Sequence, residues 1–122
     1  KECGGSIPGN VITMGNNDSN GYYLSRCKEA GMKPHPARFP VQLPEFFIKF
    51  LTAPGDLILD PFAGSCTTGE ASERQGRRWI CIEPVKTYLD AARFRFENGT
   101  LAVPPSEVTE GSTGAYQSEL PL

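Results

Sequence analysis

The sequence predicts an α/β fold: a partial Rossmann-like sheet of parallel strands with flanking helices. Leu57-Ile58-Leu59 is a short apolar run that stops at Asp60. A loop of small residues, Ala63-Gly64-Ser65-Cys66-Thr67-Thr68-Gly69, follows at once. A second apolar run, Trp79-Ile80-Cys81-Ile82, stops at another acid, Glu83. Short apolar runs bounded by turn residues read as the buried strands of a parallel sheet. Strand, glycine loop, helix and strand in that order make a βαβ unit.

The remaining elements follow from local pattern. Residues 1–21 are rich in Gly, Asn and Ser; Asn10–Met14 is expected as a short strand and Asn16–Gly21 as a turn. Tyr22, Tyr23, Leu24 and Cys27 predict a short helix over 22–31, closed by Gly31. The prolines at 34, 36 and 40 predict extended loop over 33–41. Pro44 suits a first helical turn, and Phe46, Phe47, Phe50 and Leu51 recur at helical spacing until Pro54-Gly55. The three phenylalanines are expected in the core. After the glycine loop a helix should run from Thr67 to about Gln75 and end at Gly76. Pro84 should open a last helix through about Phe96, with Tyr88, Leu89, Ala92 and Phe96 on one face, ended by Asn98-Gly99. Residues 100–122 are polar, contain Pro104-Pro105, and are expected to be a mobile tail. Two or three strands leave an open edge. The sheet is therefore expected to be completed by missing chain, a second subunit or a dimer partner. The first residue is Lys1 rather than Met, which agrees with a start inside a longer gene product.

Composition sets outer bounds. A chain of 122 residues predicts one domain. No apolar run approaches the roughly 18 residues needed to span a bilayer, so no membrane partner is expected. No apolar stretch follows the initial charges, so the start is not a signal peptide, and a cytoplasmic setting is expected. The formal net charge of -2 excludes nucleic-acid binding by bulk charge alone. The cysteines at 3, 27, 66 and 81 have no C-x-x-C spacing, and His35 is the only histidine, so no metal site is expected. Cys66 has no base near it in the motif, which argues against a nucleophile, and Cys3, Cys27 and Cys81 are expected to be inert. Arg74, Arg77 and Arg78 are read as a solvated face in preference to a DNA patch.

In a βαβ unit, ligands bind beyond the carboxyl ends of the strands. Asp60 stands at one such end. Gly64 permits a tight turn and close ligand approach. Thr67 and Thr68 are candidate caps for the following helix, whose amides favour an anionic group. Glu83 ends the next strand 19 positions after Gly64, about where an acid should accept hydrogen bonds from a ribose diol. These residues describe a pocket for a nucleoside-containing cofactor. They do not by themselves choose between a dinucleotide and S-adenosylmethionine. The dinucleotide pattern G-x-G-x-x-G is absent because Cys66 interrupts it, which counts against NAD.

A resemblance makes the choice. Asp60-Pro61-Phe62-Ala63-Gly64-Ser65-x-Thr67-Thr68-Gly69 resembles the cofactor motif of DNA amino-methyltransferases that modify adenine N6 or cytosine N4. His35-Pro36-Ala37-Arg38-Phe39-Pro40, followed by Leu43-Pro44, resembles the second cofactor motif, placed before the glycine loop in the permuted beta order. Trp79–Glu83 is similar to the acidic strand end of these enzymes, and Tyr88 matches its usual sequel. The likeness covers about residues 7–98 and is greatest to the cytosine-N4 enzymes of type II restriction–modification systems.

The resemblance implies a partial S-adenosylmethionine-dependent methyltransferase fold. Residues 1–34 would be linker and the end of a target-recognition region, 35–99 the cofactor-binding βαβ region, and 100–122 the tail. It implies that Asp60, Phe62, Gly64 and the loop Ser65, Cys66, Thr67, Thr68 hold the methionine end of the cofactor, with Pro61 in the same set. His35, Pro36, Ala37, Arg38 and Phe39 would close over the methionine side. Glu83 would take the ribose, and Phe62 or Pro84 would wall the adenine. Most members of the family have Gly where this chain has Cys66. Cys favours an ordinary φ, so a less open loop is expected.

The catalytic motif of the family, Ser, Asp or Asn followed by Pro-Pro-aromatic, is not seen; Pro104-Pro105 has Val103 before it and Ser106 after it. No catalytic residue is therefore assigned, and the chain alone is expected to be inactive. An upstream portion or separate subunit would supply that motif, and double-stranded DNA with a flipped target base would be the substrate. A non-catalytic remnant or regulatory subunit, and an adenine-N6 enzyme, are the alternatives. An RNA or protein methyltransferase fits the motif order less well.

Overall fold

The computed structural model describes residues 9–15 and 20–97, together with the backbone of 114–117. Helix α1 spans Gly21–Glu29 and α2 spans Gln42–Leu51. Strand β1 (Leu57–Asp60), helix α3 (Thr67–Arg74) and strand β2 (Arg78–Glu83) form the βαβ unit. Helix α4 (Lys86–Ala92) runs directly into a 3-10 turn, Arg93–Phe96, and strand β3 is Gly114–Gln117. The sheet order is β1-β2-β3. β1 and β2 are parallel, with Leu57 opposite Arg78 and Asp60 opposite Cys81. β2 and β3 are antiparallel, with Glu83 opposite Gly114. Asp60 and Glu83 thus close their strands at the same end of the sheet.

Burial explains why these elements dock. Strand β2 alternates, with Trp79, Cys81 and Glu83 turned inward. Trp79 and Cys81 pack with Ala63, Cys66 and Ala92, and Phe96 stacks on the Trp79 ring at 4.9 Å. Helix α1, which falls inside the segment read as linker, places Tyr23 and Cys27 against Ala91 and Phe94. Helix α2 meets α3 through Val41, Ile48 and Ala71.

Several expectations change. Residues 10–14 are not a strand. The stretch pairs with no strand of the described sheet and is left largely exposed, where water can satisfy its backbone. β1 forms where expected, but Leu57 and Leu59 are 52% and 60% exposed, so it is an edge strand and not a buried one. Phe47 and Phe50 are also exposed, on the outer face of α2, and are not core residues. Helical period fixes that they share a face, but not that a neighbour covers it. Arg77 is buried rather than solvated: it donates to the Thr52 carbonyl (2.7 Å), the Thr52 hydroxyl (3.1 Å) and the Gln75 carbonyl (2.6 Å), tying the end of α2 to the start of β2. The last helix begins at Lys86, two residues after Pro84, because Val85 is still extended. The tail expected over 100–122 lies outside the described residues, save the backbone of β3.

Among the described residues, no helix is long and apolar enough to cross a membrane.

Candidate cofactor site

The site begins with the chain reversal after β1. The Asp60 carboxylate accepts a hydrogen bond from the Phe62 amide at 3.0 Å, which folds the chain sharply at the strand end. Phe62 is left 88% exposed, and Pro61 is exposed beside it. The Ala63 amide then donates to the Ile82 carbonyl, pinning the loop to β2. Gly64 has a φ of 54°, a left-handed conformation that glycine adopts without strain. Its amide donates to one oxygen of Glu83 at 3.1 Å, while the Val85 amide donates to the other at 2.9 Å. Glu83 is therefore buried, held by two backbone donors, and coupled directly to the glycine loop.

Cys66 corrects the sequence expectation. It takes φ 60°, ψ 35° and so occupies the left-handed conformation itself. The loop keeps the path that glycine would give it, at a local cost of about 1–2 kcal/mol. The thiol is buried among Trp79, Cys81 and Ala63, so a ligand cannot reach the sulfur. Burial, and the neighbouring Cys81, push its pKa well above the usual thiol value. That is the opposite of what a nucleophile needs. Cys66, not Thr67 or Thr68, is the N-cap residue of α3, with no side-chain cap bond. The Thr67 hydroxyl instead pairs with the Ser65 hydroxyl at 3.1 Å.

The segment 35–39 comes back over this loop. The His35 ring lies against Gly64: a Cβ added there would meet the imidazole at 3.1 Å. The His35 amide donates to the Tyr23 hydroxyl (3.3 Å), and Nδ1 is 2.7 Å from the Ala37 carbonyl, which it meets as an N–H donor. Its ring packs edge-on against Tyr88 at 4.6 Å. Arg38 donates back to the His35 carbonyl, fixing a tight local turn. Pro36, Ala37 and Phe39 remain exposed. Pro84 is exposed on the other side, just past Glu83. A separate apolar cavity of about 380 Å³ lies along α2 and touches the site residues only at Phe39 and Thr68.

His35, Gly64, Glu83 and Tyr88 are thus drawn into one place, while Phe62 and Pro84, each following a strand-end acid in the chain, are exposed. Sequence reasoning missed Arg95. Its guanidinium is buried under the loop and donates to the Ser65 carbonyl (2.6 Å) and the Ser65 hydroxyl (2.9 Å). It also donates to Glu70 (2.8 Å) and to the Asn20 side-chain oxygen (2.7 Å). The one local signal is the alternation Phe94-Arg95-Phe96 at the end of an amphipathic helix.

A glycine loop between two parallel strands that end in acids, with a second motif packed over the loop, is the arrangement of the methyltransferase class. Comparison with known proteins agrees. The family described as DNA methylase, the N6/N4 methyltransferase domain, matches residues 10–94, and the chain belongs to that family. It is 51% identical over 102 residues to the type II methyltransferase M.PvuII of Proteus hauseri, across 84% of this chain and 30% of that protein. It is 51% identical over 74 residues to the type II methyltransferase M2.DpnII of Streptococcus pneumoniae, across 61% of this chain and 28% of that protein. Among solved structures it resembles the cytosine-N4-specific PvuII DNA methyltransferase, with a TM-score of 0.71 and 50% identity over 79% of this chain and 34% of that one. The chain therefore spans about a third or less of the length of these relatives.

Proposed function

We propose that this chain is the S-adenosylmethionine-binding portion of a DNA methyltransferase that acts on an exocyclic amino group, cytosine N4 in the first instance. The convergence of His35, Gly64 and Glu83 at the strand ends carries this reading, because it joins two cofactor motifs far apart in sequence. The chemistry of the donor set fits the cofactor. Glu83 has lone pairs left after its two amide bonds and suits a ribose diol. Two carboxylates at the mouth disfavour a pyrophosphate and favour a ligand carrying sulfonium and ammonium charge. Phe62 and Pro84 offer flat apolar faces for a purine. The cytosine-N4 preference rests on the named specificity of the PvuII enzyme.

When bound, the cofactor supplies an electrophilic methyl group. In this chain Asp60, Gly64 and the Ser65–Thr68 backbone would hold its amino-acid end, and His35–Phe39 would shield it from water. The groups that orient the target amine on flipped double-stranded DNA come from an upstream portion or a separate subunit.

Calorimetry tests the pocket. Wild-type protein should bind S-adenosylhomocysteine, and Asp60→Ala should weaken that binding by at least about tenfold, the loss expected for one charge-assisted hydrogen bond. Equal binding by the variant would remove the assignment. Transfer of tritiated methyl groups to DNA should appear only when an upstream portion with the Pro-Pro-aromatic motif is supplied. Transfer by this chain alone would show catalytic residues within it.

A further inference from the structure

Resting on that reading, we infer that Arg95 is a positioning residue of the cofactor loop, selective for the amino-acid end of the ligand. Its side chain is 1% exposed, so it does not reach solvent or a bound cofactor. A buried guanidinium is costly unless its donors are used. Here they are used on three separate elements: the glycine loop through both polar oxygens of Ser65, helix α3 through Glu70, and the N-cap of α1 through Asn20. The Tyr23 ring lies 4.4 Å beneath the guanidinium carbon, a cation–π contact. Tyr23 in turn accepts the amide of His35, so the same hub reaches the segment that roofs the loop.

Ser65 is the point of leverage. Arg95 draws its carbonyl inward, and its hydroxyl, shared with Thr67, links the turn to the first residue of α3. Cys66 sits between them in a left-handed conformation that a non-glycine residue does not choose unaided. The guanidinium fork therefore over-determines a strained turn. That turn leads directly into the first residues of α3, in the segment assigned above to the amino-acid end of the ligand. The nucleoside end is assigned to Glu83, which makes no contact with Arg95 and meets the loop only at Gly64, before the Ser65–Thr67 turn that Arg95 holds.

The separation makes the role testable in the intact protein. S-adenosylhomocysteine carries both ends of the cofactor, and 5′-methylthioadenosine carries only the nucleoside end. Arg95→Met should lower affinity for the first by at least about tenfold while leaving the second within about twofold. Arg95→Lys keeps the charge beside Glu70 but lacks the planar fork. It should restore the melting temperature more fully than the affinity for S-adenosylhomocysteine. Ser65→Ala, which removes one acceptor without touching the buried charge, should show the same ligand selectivity in a smaller degree. If Arg95→Met does not fold, Arg95→Lys and Ser65→Ala carry the comparison. Equal weakening of both ligands, or of neither, would falsify the positioning role and leave the cofactor assignment standing. Failure of wild-type protein to bind either ligand would overturn the cofactor assignment and this inference together.

Discussion

Strands β1 and β2 are partners in one parallel pair, yet their surroundings differ sharply. β2 has an inward face of Trp79, Cys81 and Glu83, closed by α3, by α4 and by the glycine loop. β1 leaves Leu57 and Leu59 bare, and Phe47, Phe50 and Leu51 of α2 are exposed as well. The closed side is where all the site geometry lies. Its contacts are made within the chain: Glu83 to Gly64, His35 to Gly64, Arg95 to Ser65. Among the described residues, nothing covers these apolar side chains of β1 and α2. The difference teaches that the candidate site is held by contacts within the described chain, whereas the exposed apolar residues of β1 and α2 are not.

The strongest way to break the closed side is to orphan its buried charge. Glu70→Ala removes the one carboxylate paired with Arg95 and leaves a guanidinium inside. Deleting one partner of a buried pair typically costs about 3–5 kcal/mol. Denaturant unfolding should show a loss of that size, and a loss below about 1 kcal/mol would mean the guanidinium escapes to water. Arg74 also pairs with Glu70, but it is half exposed and contributes little.

A smaller break tests the packing beneath the loop. A Cβ on Gly69 would sit 2.6 Å from the Cys66 sulfur and 3.0 Å from the Trp79 ring. Gly69→Ala should therefore destabilise by about 1–3 kcal/mol, the usual cost of overpacking. Cys66→Gly removes the sulfur and the left-handed strain together. In that background Gly69→Ala should regain part of the loss, read as a non-additive pair in thermal unfolding. Strict additivity would show that Trp79, not Cys66, is the obstacle.

These cases also mark where the sequence was legible. The βαβ unit, the glycine loop and Glu83 could be read because short-range pattern determines them: an apolar run, a turn residue, an acid at a strand end. His35 was legible through its motif, though its seat over Gly64 was not. Arg95 was not legible, because its partners lie 30 and 75 positions away and an arginine on a terminal helix ordinarily reads as solvated. Cys66 misled for the opposite reason. Its intrinsic preference is ordinary φ, and the tertiary hub overrides it. The α2 phenylalanines misled because periodicity reports a face and not its cover.

The open side should yield the smallest effect on stability, and that is its diagnostic value. Phe50 and Leu57 are 60% and 52% exposed, so Phe50→Lys with Leu57→Lys removes little burial from this chain. Unfolding free energy should move by no more than about 0.5 kcal/mol per site, the range for exposed positions. Affinity for S-adenosylhomocysteine should be unchanged, because neither residue touches the strand-end crevice. Association should respond instead. Exposed apolar residues on an edge strand and on the outer face of a helix each promote contact between chains, and a lysine at each position opposes it. Sedimentation should show weaker self-association in the double variant, and any upstream portion that completes the enzyme should bind it less well. A large loss of stability with no change in association would place the cover of these residues inside the chain, and the contrast between the two strands would then fail.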